Sequence, residues 1–421
     1  MSDAEASRRP ALDPSRDLLV DETTKGLPLD GPLPLGEVAS QGWSLDDLLP
    51  PVLVLRERAL AHNIALMAAY TAERGVELAP HGKTTMAPQI WRRQLDAGAW
   101  GITAATVAQA KVIHAAGVRR ILIANEVIDP TGIRWLADRR DDDSDLELLV
   151  GVDSAAAVDR LAGHLGDGPQ PLPVLVEIGH DGGRAGCRSV EEAVEVARRV
   201  VRTPNLSLAG VTAFEGTIAT DRSSSSIEEV RAFLDRVAAA TEAIRDDGAA
   251  VPWVSAGGSV FFDLVVERLG TSETGARLLL RSGRYVAHDA GPDAAASPFA
   301  DREPEERLLP ALELWAPVLS RPETELAIVS MGRRDASFDH GLPIPFEVRT
   351  SSGPHPVHGD LVVERLNDQH AFVRTAAALR IEPGDLVGSH VAHACTAFDR
   401  WRVIPVLDDG DRVVDAIATY F

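Results

Sequence analysis

The sequence predicts an α/β chain made of two regions, a (β/α)₈ barrel followed by an all-β domain. From residue 51 to about residue 289, short β-branched or apolar runs alternate with amphipathic helical segments, which is typical of βα units around a parallel sheet. After residue 290 the helical periods stop, and short β-rich runs separated by turn signals follow. Residues 1–50 are rich in Pro, Gly and Asp and predict an extended N-terminal arm.

The barrel region, residues 51–289, has one apolar run more than a closed eight-stranded barrel needs. A doubly wound sheet is therefore the alternative arrangement. The nine runs are Val52–Leu55, Val76–Ala79, Gly101–Ala104, Ile121–Ala124, Glu147–Val152, Pro173–Ile178, Ser207–Ala213, Trp253–Ala256 and Arg277–Arg281. The β-domain, residues 290–421, opens with a Pro/Ala/Glu-rich linker. Its predicted strands are Leu312–Ser320, Glu325–Ser330, Phe346–Thr350, Asp360–Arg365, Ala371–Thr375, Leu386–His390, Arg402–Leu407 and Arg412–Ala418.

Composition excludes several classes of protein. The 421 residues are 45% hydrophobic and 25% charged, the balance of a globular protein long enough to bury a large core. The net charge of −21 repels nucleic acid and anionic lipid. The sequence contains no run of about 18 apolar residues, the length that predicts a membrane span. Its two cysteines are too few for a disulfide framework. We therefore expect a cytoplasmic enzyme with neither a nucleic-acid nor a membrane partner.

The first candidate for chemistry is Lys83, in the segment PHGKTTM after the run Val76–Ala79. The C-terminal ends of barrel strands face the active site, and desolvation there lowers a lysine pKa, which suits a Schiff-base lysine. A loop lysine at the surface is the ordinary alternative. The chain has only three lysines, Lys25, Lys83 and Lys111. In a chain so poor in lysine, a surface lysine without a functional role is a less favoured explanation for Lys83.

Two glycine-containing turns follow later barrel runs. Gly257, Gly258 and Ser259 precede an amphipathic helix, where free N–H groups, the helix N-terminus and a hydroxyl can hold a phosphate. Gly283 and Tyr285 follow the last run and can complete such a cradle. Taken alone, each turn is better explained by the shape of the chain.

Two further segments carry polar groups suited to ligands. Arg184, in the loop EIGHDGGRAGC, can donate hydrogen bonds to a ring oxygen or a carboxylate, and a surface arginine is the alternative. His393 and Cys395 stand two apart in HVAHACTAFDRW. On a strand such positions share a face, where imidazole and thiolate can hold Zn²⁺ and leave open positions. A buried cysteine beside an unrelated histidine is the alternative.

PHGKTTMAPQ, the Gly257–Gly258 turn and HACTAFDRW together resemble the fold-type III pyridoxal-phosphate enzymes. Within them, the chain is similar to the D-serine dehydratase and D-threonine aldolase branch, especially to amino acid deaminases called D-serine deaminase-like. The resemblance covers about residues 51–421. It implies an alanine-racemase-like barrel with a β-domain, in which the first run, Val52–Leu55, joins the β-domain and leaves eight strands for the barrel. It also implies a homodimer whose active site both subunits complete.

The resemblance also implies roles for the candidate residues. Lys83 matches the lysine that binds pyridoxal 5'-phosphate covalently, His81 stands beside it, and Arg184 matches an arginine near the phenolic oxygen. The positions that match the phosphate site are Gly257, Gly258, Gly283 and Tyr285. His393 and Cys395 match the metal pair of the dehydratases.

The implied reaction is zinc-assisted dehydration and deamination of a D-β-hydroxy amino acid, of the D-serine or D-threonine type, to a 2-keto acid and ammonia. The aldolases read His-x-Asp where this chain has His393 and Cys395, which favours a dehydratase and zinc over another divalent metal. The chain departs from the family at KTTM, residues 83–86, where the relatives read closer to KTH. A D-threonine-type aldolase is the nearest alternative, and an amino acid racemase and a non-catalytic cofactor-carrying protein are further ones.

Overall fold

The computed structural model of the chain describes residues 15–270, 275–357 and 359–421. The first 14 residues of the predicted arm lie outside this described part. The rest of the arm contains a small antiparallel ribbon, β1 (Leu19–Val20) and β2 (Leu33–Pro34), and two 3₁₀ turns. The Lys25 ammonium anchors the arm, because its Nζ lies 2.6 Å from Oδ1 of the buried Asp335 and 3.6 Å from the centre of the Trp401 ring.

The strand β3 (Val52–Arg56) follows the arm and lies outside the barrel. Eight parallel strands then form the barrel in chain order. They are β4 (Glu77–Leu78), β5 (Ile102–Ala104), β6 (Arg120–Glu126), β7 (Glu147–Val152), β8 (Leu172–Ile178), β9 (Leu206–Ala213), β10 (Trp253–Ala256) and β11 (Arg277–Leu280). β11 pairs with β4, and a parallel bridge between His81 and Thr103 closes the ring between β4 and β5.

Helices cover the outside of this ring. They are α1 (Glu57–Arg74), α2 (Pro88–Asp96), α3 (Val107–Ala115), α4 (Pro130–Asp142), α5 (Ala155–Leu165), α6 (Val190–Val201), α7 (Ser224–Asp246) and α8 (Phe262–Leu269). Polar caps start several of them: the side chains of Thr106, Asp129, Ser154, Ser189 and Ser223 each accept a backbone N–H three residues on, which satisfies a donor that the first turn leaves open. Across the described residues, no helix combines the length and apolarity needed to cross a membrane.

Two apolar layers fill the barrel wall. Alternate strand residues point inward and form a small central cluster that includes Leu122, Leu149, Leu175 and Trp253, as expected because neighbouring strand residues face opposite sides of a sheet. The strand residues that point outward, such as Ile121 and Ile123 of β6, pack against the surrounding helices. The barrel is therefore a packed core, and its accessible chemistry lies at the strand ends.

After the short α9 (Pro292–Ala295), the second region is built from mostly antiparallel strands. They are β12 (Leu312–Glu323), β13 (Leu326–Val329), β14 (Ile344–Thr350), β15 (Gly353–Pro356), β16 (Leu361–Leu366), β17 (Ala371–Thr375), β18 (Leu386–His390), β19 (Val403–Leu407) and β20 (Val413–Ala418). β3 pairs antiparallel with β12 and parallel with β19. The predicted fold class is confirmed, and the doubly wound alternative is wrong. The domain limits at residues 50 and 289 stay a prediction.

One local prediction is wrong. His393 and Cys395 do not lie on a strand, because β18 ends at His390 and Cys395 begins the one-turn helix α10 (Cys395–Phe398). The reason is local geometry: Ala394 already has helical backbone angles, φ −60° and ψ −40°. The spacing of two therefore does not place these side chains on one face of a sheet.

Candidate active site

Three short 3₁₀ turns lie in the segments that follow barrel strands at the C-terminal face. They are Gly82–Thr84 after β4, Glu215–Thr217 after β9 and Arg284–Val286 after β11. With the turn after β10 and two segments of the β-domain, they surround an open cavity of about 350 Å³. Its polar and charged lining includes His81, Lys83, Ser259, Arg281, Arg284, His340, His393 and Cys395. Among the described residues that line it there is no carboxylate, although the chain carries a net charge of −21.

Lys83 lies in the turn after β4, and its side chain is exposed to this cavity. Desolvation by the cavity walls lowers the pKa of Lys83, the Cys395 thiol acts in the opposite direction, and the positive charges of Arg184 and Arg281 lower it further. A lysine whose neutral form is favoured in this way is suited to nucleophilic attack on a carbonyl.

His81 precedes Lys83 on the same wall and is half-buried. Its Nδ1 is buried without a hydrogen-bond partner among the described residues. Burial, and then the nearby charge of Lys83, hold the pKa of His81 well below its ordinary value, so the ring is neutral. The turn after β11 packs tightly on it, since a Cβ at Gly283 would lie 2.5 Å from the His81 carbonyl oxygen. Gly283 is therefore required for this close approach.

The glycine turn after β10 is already bound to an internal anion. The amides of Gly257 and Gly258 donate to the two carboxylate oxygens of Glu215, at 3.2 and 2.5 Å. Burial raises the pKa of Glu215, while these hydrogen bonds and Arg281 lower it. Gly258 and Ser259 line the cavity. Gly257, with φ +96°, is not among the described lining residues.

Two other predicted cofactor contacts are not among the described residues that line the cavity. The Tyr285 side chain is buried, and its hydroxyl accepts a hydrogen bond from Nε2 of Gln94 on α2 at 3.0 Å, because the turn after β11 directs the ring into the core. Arg184 lies 3.4 Å from Oε1 of Glu177 and 5.6 Å from the centre of the Phe214 ring. It therefore borders the cavity through Phe214, one of the lining residues.

The predicted metal residues occupy the β-domain side. The Cys395 thiol donates to Oγ1 of Thr84 at 3.4 Å, and its pKa is raised by burial. Nδ1 of His393 lies 2.7 Å from Oδ2 of Asp339, and the His340 ring stacks on the His393 ring with centroids 4.2 Å apart. Potential ligand atoms of Asp339, His340 and His393 all lie within 4.8 Å of one another.

Known proteins match the whole architecture. Two family models match the chain, the alanine racemase N-terminal domain over residues 55–264 and the putative serine dehydratase domain over residues 311–407. The 3-hydroxy-D-aspartate aldolase of Paracoccus denitrificans is 27% identical over 379 residues, which cover 87% of this chain and 90% of that protein. The D-threo-3-hydroxyaspartate dehydratase of a Delftia species is 29% identical over 245 residues, 52% of this chain and 63% of that protein. The solved D-threonine aldolase of Filomicrobium marinum is 26% identical, with a TM-score of 0.76 and coverage of 90% and 96%.

The chain belongs to the fold-type III pyridoxal-phosphate enzymes. The cavity fits that cofactor in several respects. Lys83 is exposed to it with a lowered pKa, and the lining supplies positive charge for an anion. His81 offers a neutral ring whose buried Nδ1 has no hydrogen-bond partner in the described part of the chain. One feature fits less well than the sequence predicted, because the Gly257 and Gly258 amides are occupied by Glu215.

The family resemblance left several residues of this site unnamed. Arg281 is buried at the cavity and donates to Thr212 Oγ1 and to the Ala213 carbonyl oxygen. Its sequence signal was the same as that of Lys83, a charged residue at the end of an apolar strand. Glu215, Asp339 and His340 had no such signal, since each acts on residues distant in the chain.

Proposed function

We propose that the chain is a pyridoxal-phosphate-dependent lyase that dehydrates a D-β-hydroxy amino acid of the D-serine or D-threonine type to a 2-keto acid and ammonia. One observation supports this most directly: a single cavity is lined by Lys83 from the barrel and by His393 and Cys395 from the β-domain. The contact between Cys395 and Thr84, the neighbour of Lys83, links the two halves of the site.

Each group has a separate task in this proposal. When bound, pyridoxal phosphate supplies an electron sink for negative charge at Cα. Lys83 would hold the cofactor through Nζ and, when free, would take the Cα proton, a role that its lowered pKa favours. His81 and the buried Arg281 line the cavity that would receive the cofactor, and Arg184 lies beside Phe214 at its border.

Phosphate binding is the next part of the proposal. Gly258, Ser259 and Gly283 line the cavity, and we assign the phosphate to this end of it. Gly257 and Tyr285 support the turns that carry these residues rather than touching the phosphate, given their contacts with Glu215 and Gln94.

A divalent metal, in the first place zinc, completes the proposal. His393 and Cys395 would hold it, and it would supply the Lewis acidity that makes the substrate β-hydroxyl a better leaving group. Because burial raises the pKa of the Cys395 thiol, metal binding has to displace its proton, and affinity rises with pH. An imidazole and a thiolate favour zinc over harder cations.

The second candidate is an aldolase that cleaves Cα–Cβ of the same substrates. Its support comes from the names of two relatives, the 3-hydroxy-D-aspartate aldolase and the D-threonine aldolase. We also propose that the chain forms a homodimer, as the family resemblance implies. Light scattering coupled to gel filtration tests the dimer, and a monomeric mass would contradict it.

Product analysis separates the two activities. Purified enzyme is incubated with D-serine, D-threonine and D-threo-3-hydroxyaspartate, with and without a chelator. Keto acid and ammonia that disappear on chelation support the dehydratase, whereas glycine with an aldehyde supports the aldolase. Conversion of D- to L-isomers alone, or no turnover of any of these substrates, would overturn the proposal.

A further inference from the structure

We propose that Glu215 is a positioning residue for the cofactor phosphate, because its carboxylate holds the glycine turn after β10 in the shape that puts Gly258 and Ser259 on the cavity wall. This inference rests on the proposed function, since it assumes that this end of the cavity receives the phosphate. Glu215 begins the 3₁₀ turn after β9, and its side chain is fully buried. It is not among the described residues that line the cavity, so it would act through the turn.

The amides of the glycine turn donate to this carboxylate. The Gly258 N–H donates to Oε1 of Glu215 at 2.5 Å, and the Gly257 N–H donates to Oε2 at 3.2 Å. Each carboxylate oxygen therefore takes one amide, and together they fix the orientation of both peptide groups. Gly257 has φ +96°, a left-handed conformation that glycine adopts without steric cost. The anion bound directly by this turn is thus a protein carboxylate, and a phosphate has to be held by the groups around it.

The carbonyl groups of the same turn are held from β11. Oγ of the buried Ser282 donates to the Gly257 carbonyl oxygen at 3.0 Å and lies 3.2 Å from that of Gly258. The turn is therefore fixed by a carboxylate from the β9 side and by a hydroxyl from the β11 side. Gly283 follows Ser282 and lines the cavity with Gly258. These contacts consequently set how the two glycine segments assigned to the phosphate lie relative to each other.

Arg281 supports the carboxylate from below. Its buried guanidinium donates to the carbonyl oxygen of Ala213 at 2.5 Å and to Oγ1 of Thr212, so it binds the end of β9 just before Glu215. Burial raises the pKa of Glu215, whereas the hydrogen bonds from the turn and the charge of Arg281 lower it. A positive charge at this point also offsets the repulsion between the carboxylate and a phosphate.

The residues after the turn are left for the phosphate. Ser259 and Val260 line the cavity, and α8 begins soon after them at Phe262. Within the described part of the chain, no side chain caps the first turn of α8, and the N–H groups of a helix N-terminus suit an anion. Glu215 should therefore govern how tightly the phosphate is held, while the attachment of an aldehyde to Lys83 does not depend on it.

Pyridoxal, which carries the same aldehyde without the phosphate, makes a specific test possible. The full chain freed of cofactor is titrated with pyridoxal 5'-phosphate and with pyridoxal, and visible absorbance follows the attachment of each to Lys83. The measured quantity is the phosphate preference, defined as the dissociation constant of pyridoxal divided by that of pyridoxal 5'-phosphate.

Two variants and a matched control are compared with the wild type. Glu215→Gln replaces one acceptor oxygen by an NH₂ group, which cannot accept an amide N–H. Glu215→Asp keeps both oxygens on a shorter side chain. The control is Asp408→Asn in the turn between β19 and β20, because Oδ1 of Asp408 also accepts two backbone amides, those of Gly410 and Arg412, both at 2.9 Å.

We expect Glu215→Gln to lower the phosphate preference about tenfold, the equivalent of one lost hydrogen bond to a charged group, with pyridoxal bound as in the wild type. Glu215→Asp should lower the preference less, because both acceptors remain. Inorganic phosphate should compete with pyridoxal 5'-phosphate in the wild type and compete more weakly in Glu215→Gln. Asp408→Asn should match the wild type in every measurement.

The outcomes separate this inference from the proposed function. A wild-type phosphate preference in Glu215→Gln, or an equal loss of affinity for both aldehydes, would overturn the positioning role and leave the cofactor site in place. If Glu215→Gln does not fold, Glu215→Asp decides: a lowered preference supports the role, and a wild-type preference overturns it. If the wild-type chain attached neither aldehyde, or bound both equally, the proposed cofactor site would fall, and this inference with it.

Discussion

The carboxyl group of Glu126 makes the stability of the barrel depend on pH. Glu126 ends β6 at the mouth of the barrel, and its Oε1 is buried without a hydrogen-bond partner among the described residues. Desolvation, and then the negative charge of the buried Glu177 at the end of β8, raise the pKa of Glu126 to about 7. We therefore expect Glu126→Gln to stabilise the protein at alkaline pH.

The size and the sign of the change in stability follow from the raised pKa of Glu126. A rise from 4.5 to about 7 corresponds to about 3 kcal/mol at 1.36 kcal/mol per pH unit, which solvent screening of the partly exposed side chain reduces to about 1–2 kcal/mol. The folded carboxyl binds its proton more tightly than the unfolded one. Stability therefore falls as pH rises from about 4.5 to about 7, and above that the whole penalty is present.

Thermal unfolding of the cofactor-free protein at pH 5 and pH 8 measures this difference. At pH 8 we expect Glu126→Gln to raise the melting temperature by about 2 °C, with little change at pH 5. The exposed Glu228 of α7 gives the matched control, Glu228→Gln, which should show no such dependence. An equal gain at both pH values, or a loss at pH 8, would refute an origin in the buried charge.

Three further predictions concern the lysines and the cysteines. Lys83→Ala should abolish the visible absorbance of the bound cofactor and the trapping of that cofactor by borohydride, whereas the control Lys111→Ala should leave both intact. In the wild type, the rate at which the cofactor attaches to Lys83 should reach half its maximum below pH 10.5, because the pKa of Lys83 is lowered. Cys395→Ala should lower zinc affinity at least tenfold while the cofactor is retained. The control Cys187→Ala removes a buried thiol that donates a hydrogen bond to a backbone carbonyl and should leave zinc affinity unchanged. Equal zinc affinities of the two variants would refute the metal role of Cys395. Lys25→Met should destabilise the fold by about 2 kcal/mol, because it leaves a buried carboxylate without its ammonium partner, and an unchanged melting temperature would contradict this.

Strand positions were predictable because their signals are local. Each barrel strand is an apolar run with a turn at its end, and all eight occur where the sequence placed such a run. The strand β15 (Gly353–Pro356) was not predicted, since glycine and two prolines disfavour a strand. The helical turn at Cys395 was missed for a related reason, because one turn of helix is too short to show a period.

The residues of the site also divide into those that a local sequence signal predicts and those that meet only in the folded chain. Lys83, Ser259 and Gly283 could be found because each lies in the short segment after a strand whose end faces the cavity. Glu215 could not, because it acts on Gly257 across 42 residues, and Asp339 meets His393 across 54 residues. A single sequence gives no sign that such residues meet, and only the folded chain does.

The position of the proposed metal pair, His393 and Cys395, relative to Lys83 depends on contacts between the barrel and the β-domain. Asp289 follows the last barrel turn, lies 3.1 Å from Nη1 of Arg284, and accepts a hydrogen bond from the Ala394 amide at 2.6 Å. Cys395, the next residue, contacts Thr84 beside Lys83. The segment that carries the proposed metal pair is therefore bound to the barrel at two consecutive residues, Ala394 and Cys395. Because β-elimination needs a proton removed at Cα and a hydroxyl released one bond away, the proposed reaction requires the separation that these contacts set between Lys83 and the proposed metal pair.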